Sequence, residues 1–242
     1  MTDAPLPEGR QKWLAVRAMF DRIAPRYDLM NRLLTGGLDQ RWRRRLLDLA
    51  GVGAGDRVVD VACGTGDLAE MARARGALVL GVDFAREMLR GAQERRAADV
   101  LTCADAAQLP IATAGAEVVT CGFALRNFVE LEAVLHEMGR VLEPEGRLAI
   151  LEVDRPDSEW FSRFHGFYFD RVVPRIGALF SDRAAYGYLP RSTAYLPPAE
   201  ELFEMLRRAG FVEIHRERLL LGTAQILLAR RGDKALERAA PR

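Results

Sequence analysis

The chain predicts an α/β fold: a seven-stranded, mostly parallel sheet with an antiparallel strand at its C-terminal end and helices on both faces. Three observations predict it. Short apolar runs alternate with amphipathic stretches of ten or more residues from Asp56 to Val153, a rhythm that suits parallel strands joined by right-handed crossovers. A glycine-rich turn, "CGTGD" at 63–67, joins the first such run to the helix that follows it. The last two apolar runs lie too close together for a helical crossover, so they must be antiparallel.

The elements follow in order. The chain has 242 residues, 49% of them hydrophobic, enough for one core, and a single domain is expected over 1–230 with a disordered tail at 231–242. Residues 10–50 read as helices ahead of the first strand and are expected to form a lid. Within them, "YDLMNRLLTGGLDQRW" at 27–42 places Tyr27, Asp28 and Asn31 on one side of a helical turn. "DRVVDV" is the first strand, and "LAEMARARG" is a helix stopped by Gly76. "ALVLGVDF" is a strand closing on Asp83, "AREMLRGAQERRA" a helix, and "DVLTCADAAQLP" a short strand running into a loop. "AEVVTCGFALRN" is the fourth strand, "LEAVLHEMGRVL" a helix ending at the turn "EPEG", and "RLAILEV" the fifth strand. Residues 155–198 are rich in proline and aromatic side chains and read as an inserted helical cap. The run "EWFSRFHGFYFDRVVPRIGALF" holds seven of the 19 aromatics, a composition that suits either a greasy cover or plain core. "PAEELFEMLRRAGF" is a helix ending at Gly210, and "VEIHRERLLL" and "AQILLAR" form the closing pair.

Composition narrows the function. There are 35 basic and 34 acidic residues, a net of +1, so nothing global favours nucleic acid, and a small ligand is the default. Cys63, Cys103 and Cys121 are too widely spaced for a disulfide framework or a metal pair, so no metal is expected. A reducing compartment suits them. With no apolar run of membrane-spanning length and no signal-peptide core, a cytoplasmic protein is expected. The basic run "RWRRR" at 41–45 reads more readily as a solvated helix face than as a lipid contact. His136 and His215 read as packing or surface residues, and His165, among aromatics, as structural.

The glycine turn carries the chemistry. Asp60 ends the first strand, and Gly64 and Gly66 strip the turn of side chains, so a ligand can reach the backbone and the N-terminal N–H groups of the next helix. A dinucleotide fingerprint wants a third glycine where this chain has Asp67, Leu68 and Ala69. Asp83, at the end of the second strand, can accept hydrogen bonds from both hydroxyls of a ribose, and Asp105, after the third, can reach an adenine amine. S-adenosylmethionine suits this set: an ammonium for an acid, a carboxylate for the glycine turn, and no phosphate to repel.

These residues, with "YDLMN…W" at 27–42, "GTGDL" at 64–68, "GFALRNF" at 122–128, "RVLEPEGRLAILE" at 140–152 and "YGYLPRS" before "LFEMLRRAGF", resemble the ubiquinone/menaquinone biosynthesis C-methyltransferases. The resemblance implies a Rossmann-like S-adenosylmethionine-dependent fold and methylation of a ring carbon of a prenylated quinol. It further implies cofactor contacts at Thr65, Asp83, Asp105, Ala106 and Gly122. Two positions depart from the family's pattern: Asp39 stands where a histidine is usual, and Gly122 where serine is frequent. For the chemistry, Arg126 is assigned to stabilising the quinolate and Asn127 to relaying its proton through water, with Asp39 as a candidate acceptor. Tyr27 and Asn31 are expected to face the site when the first helices close over it. A prenylated quinol implies a peripheral contact at the inner face of a membrane, and a homodimer is a further expectation. The rival readings are a methyltransferase of another hydrophobic small molecule, a non-catalytic cofactor-binding partner, and, distantly, an NAD-dependent oxidoreductase.

Overall fold

The structure is a computed structural model that describes residues 8–154 and 192–233; most of the expected cap and the tail from 234 onward lie outside the described residues, as does His165. The seven strands are β1 (Arg57–Val61), β2 (Leu78–Asp83), β3 (Val100–Cys103), β4 (Ala116–Gly122), β5 (Leu142–Val153), β6 (Phe211–Leu219) and β7 (Ala224–Arg231). They form one sheet in the order β3-β2-β1-β4-β5-β7-β6. β1 to β5 are mutually parallel, and β7 runs antiparallel to both β5 and β6. The closing pair is therefore antiparallel as expected, and β7 alone opposes the rest.

Alternation along the strands sorts the core into two layers. Val58, Val79, Val118, Ala149, Leu151 and Ile226 point to the face covered by α3 (Leu38–Leu49) and α4 (Asp67–Arg73). Val59, Val82, Val119, Leu148, Ile150 and Leu227 point to the face covered by α6 (Leu131–Val141) and α7 (Ala199–Arg208). Asp60 and Thr120 share the parity of Val58 and Val118 and are register partners, so both look toward α3. Glu152 shares the parity of Ile150 and looks the other way.

The three opening helices divide their tasks. In α3, Leu46 and Leu47 are fully buried against the sheet. In α1 (Gly9–Ile23), Lys12, Val16, Met19 and Ile23 recur at spacings of four, three and four and are its buried face. Met19 and Ile23 pack on Met88 of α5 (Arg86–Glu94). The 9-residue helix α2 (Tyr27–Thr35) buries Met30. Lys12 ties α1 to the segment after β4: its ammonium donates to the Phe128 carbonyl at 2.7 Å and stands 3.6 Å from the Tyr195 ring centre. Burial lowers its pKa to about 8.

One boundary differs from expectation. The turn "EPEG" lies inside β5: Leu142 pairs with Ala116, and Arg147 with Val118, so two steps along β4 face five along β5. Glu145 there has φ +62°, and the chain bulges before the ladder resumes.

The topology also locates the site. β1 lies between β2 and β4, so the crossovers leaving β1 and β3 depart to opposite sides and leave a crevice at the C-terminal ends of β1 and β4.

Candidate active site

That crevice is a cavity of about 350 Å³, within the range of small-ligand pockets. The strand ends supply Gly64, Asp83, Asp105, Ala106 and Gly122; the opening helices supply Trp13, Phe20 and Tyr27; the segment after β4 supplies Phe123, Asn127 and Phe128. A smaller space of about 30 Å³ adjoins the glycine turn, walled by Tyr27, Arg43, Asp60, Thr65, Asp67 and Gly122 among others.

The two glycines of the turn have different reasons. Gly64 has only the Tyr27 ring edge, 3.9 Å from where a Cβ would lie, and borders the cavity. Gly66, at φ +87°, would put a Cβ 2.4 Å from that of Ala97, so it permits close helix packing. At Gly122 a Cβ would stand 2.9 Å from Leu68 Cδ1, so a serine there requires Leu68 to swing. Ala62 and Phe123, immediately after β1 and β4, hold φ of +54° and +59°; backbone strain of this kind gathers at functional sites.

The acids are built differently from one another. Asp83 is buried; its Oδ2 accepts the Gly64 N–H and its Oδ1 the Ala85 N–H, both at 2.8 Å. Each oxygen keeps a second lone pair for a ribose hydroxyl. Burial, opposed by those N–H groups, pushes its pKa up to about 6. Asp60 is 1% exposed. Its Oδ1 accepts the Thr120 hydroxyl at 2.7 Å, while Oδ2 is buried with no hydrogen-bond partner among the described residues. Burial, partly offset by Thr120 and the charge of Arg43, raises its pKa to about 7. Asp105 is exposed at the cavity mouth, where its Oδ1 accepts the Ala107 N–H at 2.9 Å and its Oδ2 the Trp13 indole N–H at 2.7 Å. That last bond brings α1 over the cavity, and Trp13 packs edge-on to Phe84 at 5.6 Å.

The orphaned Asp60 oxygen tests the fit of S-adenosylmethionine. A buried acceptor without a donor costs free energy that an ammonium would recover, and the Asp83 lone pairs and a cavity bordered by Asp105 and Ala106 suit the nucleoside. The residues present fit the group.

Other expected residues sit where the sequence did not foresee. The Thr65 hydroxyl donates to Asp28 at 2.5 Å, and Asp28 is held by Arg95 at 2.9 Å, so Thr65 locks α2 to the glycine turn. Tyr27 lines both spaces and is bonded to Asn31; burial raises its hydroxyl pKa, opposed by that bond and by the charges of Arg43 and Arg126. Asn31 thus holds Tyr27 and does not border the cavity. Asp39 is 1% exposed, is not among the residues that line either space, and is bonded to Arg43 at 2.6 Å, the Thr35 hydroxyl at 2.8 Å and the Gln40 amide at 3.0 Å, an arrangement that suits an anchor of α3. Arg126 is not an uncommitted cation. Its Nη1 is paired with Glu152, which is fully buried, and its Nε donates to the Ser192 hydroxyl at 3.2 Å. Asn127, next to it, lines the cavity and donates to the Phe123 carbonyl at 3.5 Å.

Sequence reasoning missed Glu152 and Arg43. Arg41, Arg44 and Arg45 of "RWRRR" are exposed as expected, but Arg43 is buried, facing Phe123 at 5.3 Å. The signal available was Asp39 four residues earlier, the spacing of a helical ion pair. His136 and His215 are exposed, and the three cysteines are free. Among the described residues there is no group of acids, histidines or cysteines placed to hold a metal, and no helix long and apolar enough to cross a membrane.

Residues 8–231 match the model of the ubiE/COQ5 methyltransferase family. A demethylmenaquinone methyltransferase of Thermus thermophilus is 46% identical over 215 residues, 86% of this chain and 97% of that one. A ubiquinone/menaquinone biosynthesis C-methyltransferase UbiE of Desulfotalea psychrophila is 43% identical over 217 residues, 87% and 88% of the two chains. Among solved structures, the [4+2]-cyclase SpnF superposes with TM-score 0.66 at 19% identity, covering 96% of this chain and 99% of that one. A SAM-dependent methyltransferase of Aquifex aeolicus does so with TM-score 0.57 at 16%, covering 78% and 89%. At that identity the structures speak for the fold alone, and a cyclase among them shows that the fold does not decide the reaction.

Proposed function

Because the chain belongs to the ubiE/COQ5 methyltransferase family, we propose that it transfers a methyl group from S-adenosylmethionine to a ring carbon of a prenylated quinol, demethylmenaquinol first among them. The observation that carries the reading is one cavity bordered on one side by Gly64, Asp83, Asp105 and Ala106 and on the other by Phe20, Tyr27, Asn127 and Phe128. The first wall suits a nucleoside and the second a flat, oxygenated ring.

When bound, S-adenosylmethionine supplies an electrophilic methyl group on a sulfonium. Asp60, Asp83 and Asp105, with Thr65 in the glycine turn and Gly122 at the end of β4, would hold and orient it, while Trp13, Phe20 and Tyr27 would exclude water. A quinol carbon becomes nucleophilic as its hydroxyl loses a proton. Asn127 is positioned to hold that oxygen from the cavity wall, and the Arg126 field, which already reaches the Tyr27 hydroxyl, favours the anion. Glu152 neutralises part of that field and fixes the guanidinium in place, so we read the Arg126–Glu152 pair as one unit.

α1 and α2 are proposed as the lid, fastened by Lys12 on Phe128, Trp13 on Asp105 and Asp28 on Thr65. Peripheral contact with membrane lipid follows from the proposed acceptor's solubility, and pairing of two chains is read by sedimentation. The test is incubation with methyl-labelled S-adenosylmethionine and a panel of reduced demethylated naphthoquinones and benzoquinones, followed by mass analysis. Label on a ring carbon of a quinol is the expected result; label only on unrelated phenols or on none of the panel would reject the acceptor class.

A further inference from the structure

We propose that Lys12 is a positioning residue for the methyl transfer: by gripping the Phe128 carbonyl and the Tyr195 ring, it makes the seating of α1 over the cofactor fix the two turns that hold Arg126 and Asn127. This rests on the S-adenosylmethionine assignment above and concerns the side of the cavity on which the acceptor is proposed to lie.

Lys12 falls in the buried stripe of α1 with Val16, Met19 and Ile23, and is 5% exposed. An apolar side chain would serve that stripe at less cost, because burying an ammonium forfeits its hydration. Glu130, Glu132 and Glu201 border the open groove beside it, yet no carboxylate among the described residues is paired with it. Its charge is answered instead by one carbonyl, that of Phe128 at 2.7 Å, and by the face of one ring, that of Tyr195, whose centre is 3.6 Å away.

Both partners belong to the acceptor side. Phe128 closes the turn Leu125–Asn127, its N–H donating to the Leu125 carbonyl at 3.2 Å, and with Asn127 it borders the main cavity. Tyr195 ends the turn Thr193–Tyr195. Ser192, immediately before that turn, is fully buried, and its hydroxyl accepts the Arg126 Nε–H at 3.2 Å. One ammonium therefore joins the turn that carries Arg126 and Asn127 to the turn beside the hydroxyl that braces Arg126.

The neighbouring residue completes the link. Successive residues of a helix point about 100° apart, and on α1 Trp13 meets Asp105, after β3, while Lys12 meets Phe128, after β4. β2 and β1 lie between those strands, so α1 spans the cavity mouth and is pinned at both rims. A ligand that steadies α1 from below, through Trp13 and Phe20, therefore steadies the acceptor turns through Lys12. Residues 192–196 are not among those that border the main cavity, so order that a cofactor brings to them has been transmitted.

Hydrogen exchange read by mass spectrometry, with and without S-adenosylhomocysteine, tests this with no acceptor present. In wild type the ligand should slow exchange by at least about fivefold at 83–85 and 105–107, the strand ends it contacts, and also at 192–196. K12M, which keeps the bulk and loses the charge, should retain the first protection and lose the second. K12R, which keeps a charge and a donor, should restore the second. Thermal melting establishes folding, with K12Q in place of K12M should the latter not fold. In turnover with a demethylated naphthoquinol, K12M should lower kcat at least about tenfold with KM for S-adenosylmethionine within about threefold, and K12R should recover most of that loss. Unchanged protection at 192–196 in the folded neutral variant, or a K12R no better than K12M, would overturn the role of Lys12. Absence of protection at 83–85 in wild type would instead remove the cofactor assignment, and the proposal with it.

Discussion

Arg43 and Arg126 look alike and differ in what matters. Each is a buried arginine, 5% and 7% exposed, paired with a carboxylate that is almost wholly buried. Around Arg126 the groups answer one another: Glu152 takes Nη1, accepts the Arg126 backbone N–H at 3.4 Å and the Val153 N–H at 2.8 Å, and Ser192 takes Nε. Around Arg43, Nη1 meets Asp39 at 2.6 Å and Nε stands 4.0 Å from Asp67, and the residue borders the small space beside the glycine turn. Burial of a cation therefore says little by itself. The Arg126 pair is braced by Ser192 and by the backbone of β5 and points to a fixed field, whereas Arg43 lies between two acids beside the glycine turn.

The largest expected effect breaks the Arg126–Glu152 pair. Glu152→Gln leaves the Arg126 charge buried without its counter-ion and should cost about 3–5 kcal/mol in urea unfolding. Asp39→Asn, by contrast, should cost less than half of that, because Asp67 stands 4.0 Å from Arg43. Equal losses would erase the distinction. Next, Arg126→Lys, which keeps a charge opposite Glu152, should lower turnover roughly 100-fold or more while S-adenosylhomocysteine binding changes less than about threefold. Turnover near wild type would take Arg126 out of the reaction.

A pH series probes the unfinished acid. Unfolded aspartates lose their protons near the ordinary 3.8, whereas Asp60 and Asp83 keep theirs to about 7 and about 6. Between those limits the folded chain binds more protons, so their contribution to stability falls as pH rises from about 4 to about 7. Binding of the cofactor's ammonium has the opposite slope: affinity for S-adenosylhomocysteine should rise roughly tenfold from pH 6 to pH 7.5 as Asp60 ionises. The Asp60→Asn variant should flatten the affinity slope and leave only the Asp83 part of the stability slope, from about pH 4 to about 6. Smallest is Trp13→Phe, which removes one hydrogen bond to exposed Asp105 and should weaken cofactor binding about three- to fivefold.

How much of this was legible depends on the kind of cause. The succession of strands and helices and the acids at strand ends follow from local alternation and from the glycine turn, both written in consecutive residues, and so the cavity edge of Gly64, Asp83, Asp105 and Ala106 was readable, whereas the order of strands in the sheet was not. What required coordinates was facing. "RWRRR" contains four arginines on a helix, and only the register against the sheet decides that Arg43 points inward while Arg41, Arg44 and Arg45 do not. Glu152 looks like any strand end until the parity of β5 and the turn after β4 bring it to Arg126. Asp28 was seen with Tyr27 and Asn31 on one helical side, but its bonds to Thr65 and Arg95 join α2 to elements 37 and 67 residues away in sequence. Gly66 was read as opening the turn to a ligand, yet the Cβ it lacks would strike Ala97.

The central claim is that the strand-end acids grip a sulfonium nucleoside, and calorimetric titration of wild type and Asp83→Asn with S-adenosylhomocysteine and with NAD addresses it most directly. The account predicts binding of S-adenosylhomocysteine by wild type, at least about 30-fold weaker binding by the folded variant, and no binding of NAD. Tight NAD binding without S-adenosylhomocysteine binding, or an Asp83→Asn variant with unchanged affinity, would contradict it.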